Sequence, residues 1–203
     1  MKKYAVLHEP GDIVTLAGTR FVVLDVERRG SLPDSLFLLA LESVGASEFG
    51  SSNNYAESDL KKAVDKWLED MGKRGLDNAK LIPREIDLTT LDGSGCYGKL
   101  SVKAAPLTLD EAREYADIIP NAERWCWLAT GWSGPSKSDG DLALNVSSDG
   151  DWHGSLCSDS YGIRPALKIP SDLLLDSADK PDLSEVPTDT LLEEIRRRVV
   201  DKA

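Results

Sequence analysis

Three cysteines, two histidines and several Asp-Gly pairs are the residues through which this chain can do chemistry. Cys96, Cys126 and Cys157 are odd in number and too few for a disulfide framework, as expected of a chain made in a reducing compartment. His8 and His153 belong to no H-x-x-x-H or Cys/His ligand cluster. Gly131-Trp132-Ser133-Gly134 falls one residue short of the G-x-S-x-G elbow that presents a serine nucleophile. No glycine-rich phosphate loop leading into Lys-Ser/Thr is present, and among 35 acidic residues a glycosidase pair can be neither singled out nor excluded. The pattern points away from catalysis.

Recognition chemistry is better represented. Residues 131–161 carry Trp132, Ser133, Asn145, Asp149, Asp151, Trp152, His153 and Tyr161 among further Ser, Gly and Asp. Rigid aromatics supply contact area and small polar residues supply adaptable hydrogen bonds, the mixture found on recognition surfaces. These eight are the candidate ligand-binding residues, for a protein or glycan ligand. In the competing reading Trp152 and Tyr161 cap the core and the small polar residues only make turns. Trp125 and Trp127, two apart, project to one face of a strand and are expected in the core.

Bulk properties limit the remaining classes. With 203 residues, 41% of them hydrophobic, the chain fits one folded domain with an appendage. A formal net charge of −11 would repel a phosphate backbone, so broad nucleic-acid binding is not expected. No apolar run approaches the ~18 residues of a membrane span, so no membrane insertion is expected. The apolar stretch behind Met1-Lys2-Lys3 stops at Leu7, short of a secretion signal's core. The expectation is a protein that is cytoplasmic as synthesised and can reach a virion or cell surface by another route.

The elements that must position these residues read as follows. Residues 13–26 form a hairpin around Gly18-Thr19, and Phe37 to Leu41 form a buried strand. Leu60, Ala63, Val64, Trp67, Leu68 and Met71 make the apolar stripe of a helix that Ser58 or Asn54 caps and Gly72 ends. Thr108-Leu109-Asp110-Glu111 is a capping box opening a second helix that Pro120 stops. Residues 72–106 between them read as loop with one short strand. Strands follow at 124–128, 142–146 and 152–156, with Asp149-Gly150 turning the last pair, and a closing strand runs through 162–169. Pro165 requires an edge, an end or a bulge there. The domain spans 1–170, a Pro-containing linker 171–187, and an amphipathic helix 188–203 with Leu191, Leu192, Ile195 and Val199 on one side. Those four residues dock either on their own domain or on a partner, in a homo-oligomer or a virion assembly.

Three segments resemble the DUF6273 domain family of gut bacteria and their phages. Phe49-Gly50-Ser51-Ser52-Asn53-Asn54-Tyr55 through Leu60, with Trp67-Leu68, is similar to its "FG-x-N-x-Y-x-x-S-x-L…WL" element. Arg124 to Thr130 is similar to its "WWLRS" strand, and Tyr161 to Leu167 to its closing "GVRPAL" strand. The resemblance covers about residues 20–170. It implies a C-type-lectin-like α+β fold, with two helices packed on a twisted antiparallel sheet with long loops. It also implies kinship with formylglycine-generating enzymes and with retroelement-diversified receptor-binding proteins, in which the variable ligand-facing residues lie in the region equivalent to 131–161.

That kinship does not bring its chemistry along intact. The enzymes hold copper with a close cysteine pair before the closing strand, whereas here Cys157 stands alone and Cys126 lies far upstream. A metal oxidase is therefore the lesser alternative to a recognition protein. Asp139-Gly140-Asp141 and Asp149-Gly150-Asp151 offer the hard oxygens that calcium takes. The Glu-Pro-Asn or Gln-Pro-Asp loop and the Trp-Asn-Asp strand of sugar-binding lectins are absent, however, so these pairs read first as turns with no cofactor expected, and calcium at them is the lesser alternative.

Overall fold

Phe21-Val22-Val23-Leu24 is apolar at successive positions, so a strand built from it needs cover on both faces. The computed structural model, which describes residues 2–4, 8–29 and 32–177, supplies that cover. A seven-stranded antiparallel sheet is ordered β1 (Lys2–Tyr4), β14 (Leu174–Ser177), β2 (Ile13–Leu16), β3 (Thr19–Arg29), β4 (Leu32–Ala40), β13 (Ala166–Pro170), β8 (Ala104–Ala105). On one face Phe21, Val23, Leu36, Leu38 and Ile169 meet Leu60, Val64, Trp67 and Met71 of α1 (Asp59–Lys73). On the other, Val22, Leu24, Phe37, Leu39 and Ala166 meet Leu109 and Ala112 of α2 (Leu109–Glu114).

A second sheet is ordered β11 (Trp152–Leu156), β10 (Leu142–Val146), β9 (Cys126–Gly131), β12 (Ser160–Gly162), β5 (Ala46–Glu48). Its β9–β12 pair is parallel and the others are antiparallel. β6 (Arg84–Asp87) and β7 (Lys99–Val102) make a separate two-stranded piece. The class is thus α+β, mostly sheet with two helices. Among the described residues no helix is long and apolar enough to cross a membrane.

Local chemistry sets the boundaries. The first turn lies at Ala17-Gly18, both at positive φ, one residue before the expected place; that geometry matches the twist of the flanking strands. The Ser58 hydroxyl accepts from the Lys61 N–H at 2.9 Å and starts α1, while Asn54 caps the 3-10 turn Tyr55–Glu57 before it. α1 ends at Lys73, and Gly75 (φ +101°) rather than Gly72 is the glycine that terminates it, with the Leu76 N–H donating to Met71. The capping box of α2 is complete, and Glu111 in it also pairs with the buried Arg84. α2 itself ends at Glu114, and the chain continues through turns to Pro120.

Three expectations are corrected. Residues 72–106 hold three short strands, β6 to β8, not one. Part of the expected linker, Leu174–Ser177, is strand β14, which pairs with β1 and β2. The expected closing strand is divided. Gly162 pairs with Cys126 in the five-stranded sheet, whereas Ala166 to Pro170 pair with β4 in the other, so Ile163–Leu167 do not lie beside the tryptophan strand. Pro165 sits at the crossing, where its missing N–H breaks no ladder. The helix expected at 188–203, with Leu191, Leu192, Ile195 and Val199, lies outside the described residues.

The crossing leaves no room for a side chain at Gly162. A Cβ there would lie 2.8 Å from both Cys126 Sγ and Ser43 Oγ and 3.0 Å from the Trp125 carbonyl oxygen. Gly162→Ala is expected to cost about 1–3 kcal/mol, measured as a lowered urea midpoint at unchanged m-value.

Candidate functional site

Successive strand residues point to opposite faces, and this divides the eight expected ligand-binding residues. In β11, His153 falls on the face that Asn145 and Trp127 share, because the register pairs His153 with Asn145 and Asn145 with Trp127. Trp152 pairs with Val146 on the other face. One surface therefore cannot use both Trp152 and His153.

On the first face the rings form a column. Trp127 is 1% exposed, donates its indole N–H to the Ser47 carbonyl at 2.9 Å and meets Phe49 edge-on. Tyr161 stands against Trp127 at 4.8 Å between centroids and stacks on Trp125 at 5.7 Å. His153 also stacks on Trp125, at 4.6 Å. Trp125 was expected in the core beside Trp127; it precedes β9 and is half-buried. It borders a cleft of about 510 Å³ with Glu123, Arg124, Ser160 and Tyr161. Glu123 and Arg124 escaped the sequence reading, since charges flanking a strand carry no distinguishing pattern.

On the second face Trp152 is 41% exposed, with the Arg113 guanidinium 5.3 Å from its ring centre. Trp132 lies across the backbone of Gly154, where a Cβ would come within 2.4 Å of the indole. Only glycine lets that ring lie flat on the strand.

Two expected residues are not on a surface at all. Asn145 is fully buried and donates to Ser155 Oγ at 2.8 Å, and Ser133 is 3% exposed. The cause is local. The Asn53 side chain donates to the carbonyls of Ser133 (2.8 Å) and Leu142 (3.0 Å) and accepts from the Tyr97 hydroxyl, drawing the start of the 131–141 segment inward. Leu91 and Asp92 add backbone bonds to Gly131 and Trp132. The region is thus tied down at its base rather than held out as a platform. Asp149 and Asp151 are exposed in the β10–β11 turn, where their N–H groups donate to Ser147 Oγ and Gly150 takes φ +92°. Among the described residues no three His, Cys, Asp or Glu side chains gather as a metal site.

No family model, curated protein or solved structure matches the chain.

The thiols differ in kind. Burial pushes Cys126 up to about 11, against the lowering fields of Arg164 and Arg124. Burial also pushes Cys157 up to about 12, helped by Asp141 and Asp159. Both stay protonated at neutral pH, the unreactive form, whereas Cys96 is exposed. Ellman's reagent is expected to titrate one thiol in the native protein and three in denaturant; rapid native labelling of Cys126 or Cys157 would contradict the burial described.

Proposed function

We propose that the protein is a non-catalytic recognition module that takes a protein or glycan ligand at the cleft beside the His153–Trp125–Tyr161 stack. The single observation that supports this most is the stack itself, three rings in series alongside an open cleft of about 510 Å³. A stacked ring has lost its freedom before any ligand arrives, so little entropy remains to be lost on binding. Trp125 is stacked with both neighbours, and Arg124 and Glu123 beside it offer donors and acceptors at the rim of the cleft. A cleft within the ~300–1,000 Å³ of small-ligand sites suits a sugar unit or a peptide side chain.

The C-type-lectin-like fold, the DUF6273 kinship and the phage or gut-bacterial setting belong to this reading. They rest on the resemblance of residues 49–60, 124–130 and 161–167, and two helices packed on largely antiparallel sheets are compatible with them.

The test is a glycan array and a displayed peptide library, each probed with the unaltered protein, Trp125→Ala, Arg124→Glu and Trp152→Ala. Ligands of the cleft should lose at least tenfold in affinity with the first two variants and bind normally to Trp152→Ala. Arg124 is exposed, so its exchange separates lost binding from lost folding. Selected ligands indifferent to both Trp125→Ala and Arg124→Glu would remove the cleft from consideration.

A further inference from the structure

Arg164 is the charged residue that the aromatic face leaves unused. It is 7% exposed, and its Nε donates to the Ala40 carbonyl at 2.9 Å. Its Nη2 is buried and has no hydrogen-bond partner among the described residues. Among those residues no carboxylate forms an ion pair with it; Glu42, whose field reaches it, is paired with Arg20. Burial lowers the affinity of this guanidinium for its proton, the direction expected of a cation held away from water without a counter-ion. Native proteins rarely leave such a group unanswered, because an unpaired buried charge is costly.

Arg164 also lines a cavity. A cleft of about 140 Å³ runs between the turns after α2 and the second face of the five-stranded sheet, walled by Ala116, Ile119, Val146 and Trp152, with Asn121 and Ser147 at hand. A smaller apolar void of about 40 Å³ shares Ala112, Ile119, Ala122, Val146 and Arg164 with it. The walls are apolar on the side of Ile119, Val146 and Trp152, and the side chain of Arg164 that lines them is cationic. At about 30 Å³ per water the cleft holds four or five waters, or a short organic molecule.

We infer that this cleft binds a small organic carboxylate with an apolar body, its carboxylate accepting from the Arg164 guanidinium that lines the cleft and its carbon chain packing against Ile119, Val146 and Trp152. A carboxylate matches the fork geometry of a guanidinium, and a charge-assisted bond in a low-dielectric site is stronger than its exposed counterpart. The carboxylate comes either free in solution or at the end of a partner's chain. The site lies on the opposite face of the five-stranded sheet from the aromatic stack, so it stands or falls apart from the function proposed above.

Sodium butyrate, its uncharged isostere butyramide and a tetrapeptide ending in a free valine carboxylate are titrated at constant ionic strength. The readouts are the NMR signals of the Trp152 indole N–H and the Ile119 methyl groups. Butyrate should give saturable shifts in the millimolar range, and butyramide should bind at least tenfold more weakly. Tighter binding of the peptide than of butyrate assigns the carboxylate to a partner's terminus; the reverse assigns it to a free acid. Arg164→Gln should abolish the butyrate response. Because that exchange alters a buried group, Ala116→Leu at the exposed mouth serves as the second variant and should weaken butyrate at least tenfold with the fold intact. Equal responses to butyrate and butyramide, no saturable shift with butyrate or peptide, or an undiminished butyrate response in Ala116→Leu would each overturn the proposal.

Discussion

One antiparallel ribbon belongs to both sheets, and the positions of both surface sites follow from it. Residues Ser35 to Leu39 pair with Ala166 to Pro170 in the seven-stranded sheet, and Ala46 to Glu48 pair with Ser160 to Gly162 in the five-stranded one. Between these ladders the two chains stay bonded: Ala40 donates to Pro165, Val44 to Ile163, and Ile163 to Gly45. The ribbon can pass from one sheet into the other because Pro165 has no N–H to lose and Gly162 has no Cβ to collide with Cys126 and Ser43. Arg164 lies between those two residues, and this is why a cationic side chain is held within the protein.

The same crossing sets what each face of the five-stranded sheet can do. From β12 the ribbon presents Tyr161 beside Trp127 and Trp125, and β11 closes the column with His153. The rings run inward through Phe49 to Tyr55, so the exposed end of the column is braced by the main core. The other face carries Leu128, Leu144 and Val146 against α2, and its opening is the cleft that Arg164 lines. Strand alternation, rather than distance along the chain, decides which residues share a surface.

Much of the scaffold was legible. The stripe from Leu60 to Met71, the Thr108–Glu111 box and the strands 142–146 and 152–156 each carry a local signal strong enough to survive tertiary packing. Of β6, β7 and β8 only one short strand was expected, because each has four residues or fewer, and β8 is defined by a partner, β13, far away in sequence. The candidate site was half legible. Its aromatics were found, but treating residues 131–161 as one surface ignored the period of two in Trp152-His153. Asn145 is buried because β10 is flanked by β11 and β9, and Ser133 is drawn in by Asn53, 80 residues before it, a contact that no local pattern announces.

Ile163-Arg164-Pro165-Ala166-Leu167 breaks the local rule for a buried strand by placing a permanent charge among apolar residues. Where a sequence departs from the chemistry its surroundings demand, either the departure is compensated within the fold or it serves a purpose outside it. Arg84 illustrates the first case. It is equally buried, but it pairs with Glu111, donates to the carbonyls of Ala105 and Pro106 and lies over the Phe37 ring, so its charge fastens α2 to the sheet. Arg164 has the Ala40 carbonyl and no carboxylate among the described residues. The two arginines differ not in burial but in what answers their charge, and that contrast places the anion-seeking chemistry of this protein at the cleft beneath Trp152 and not at the base of α2.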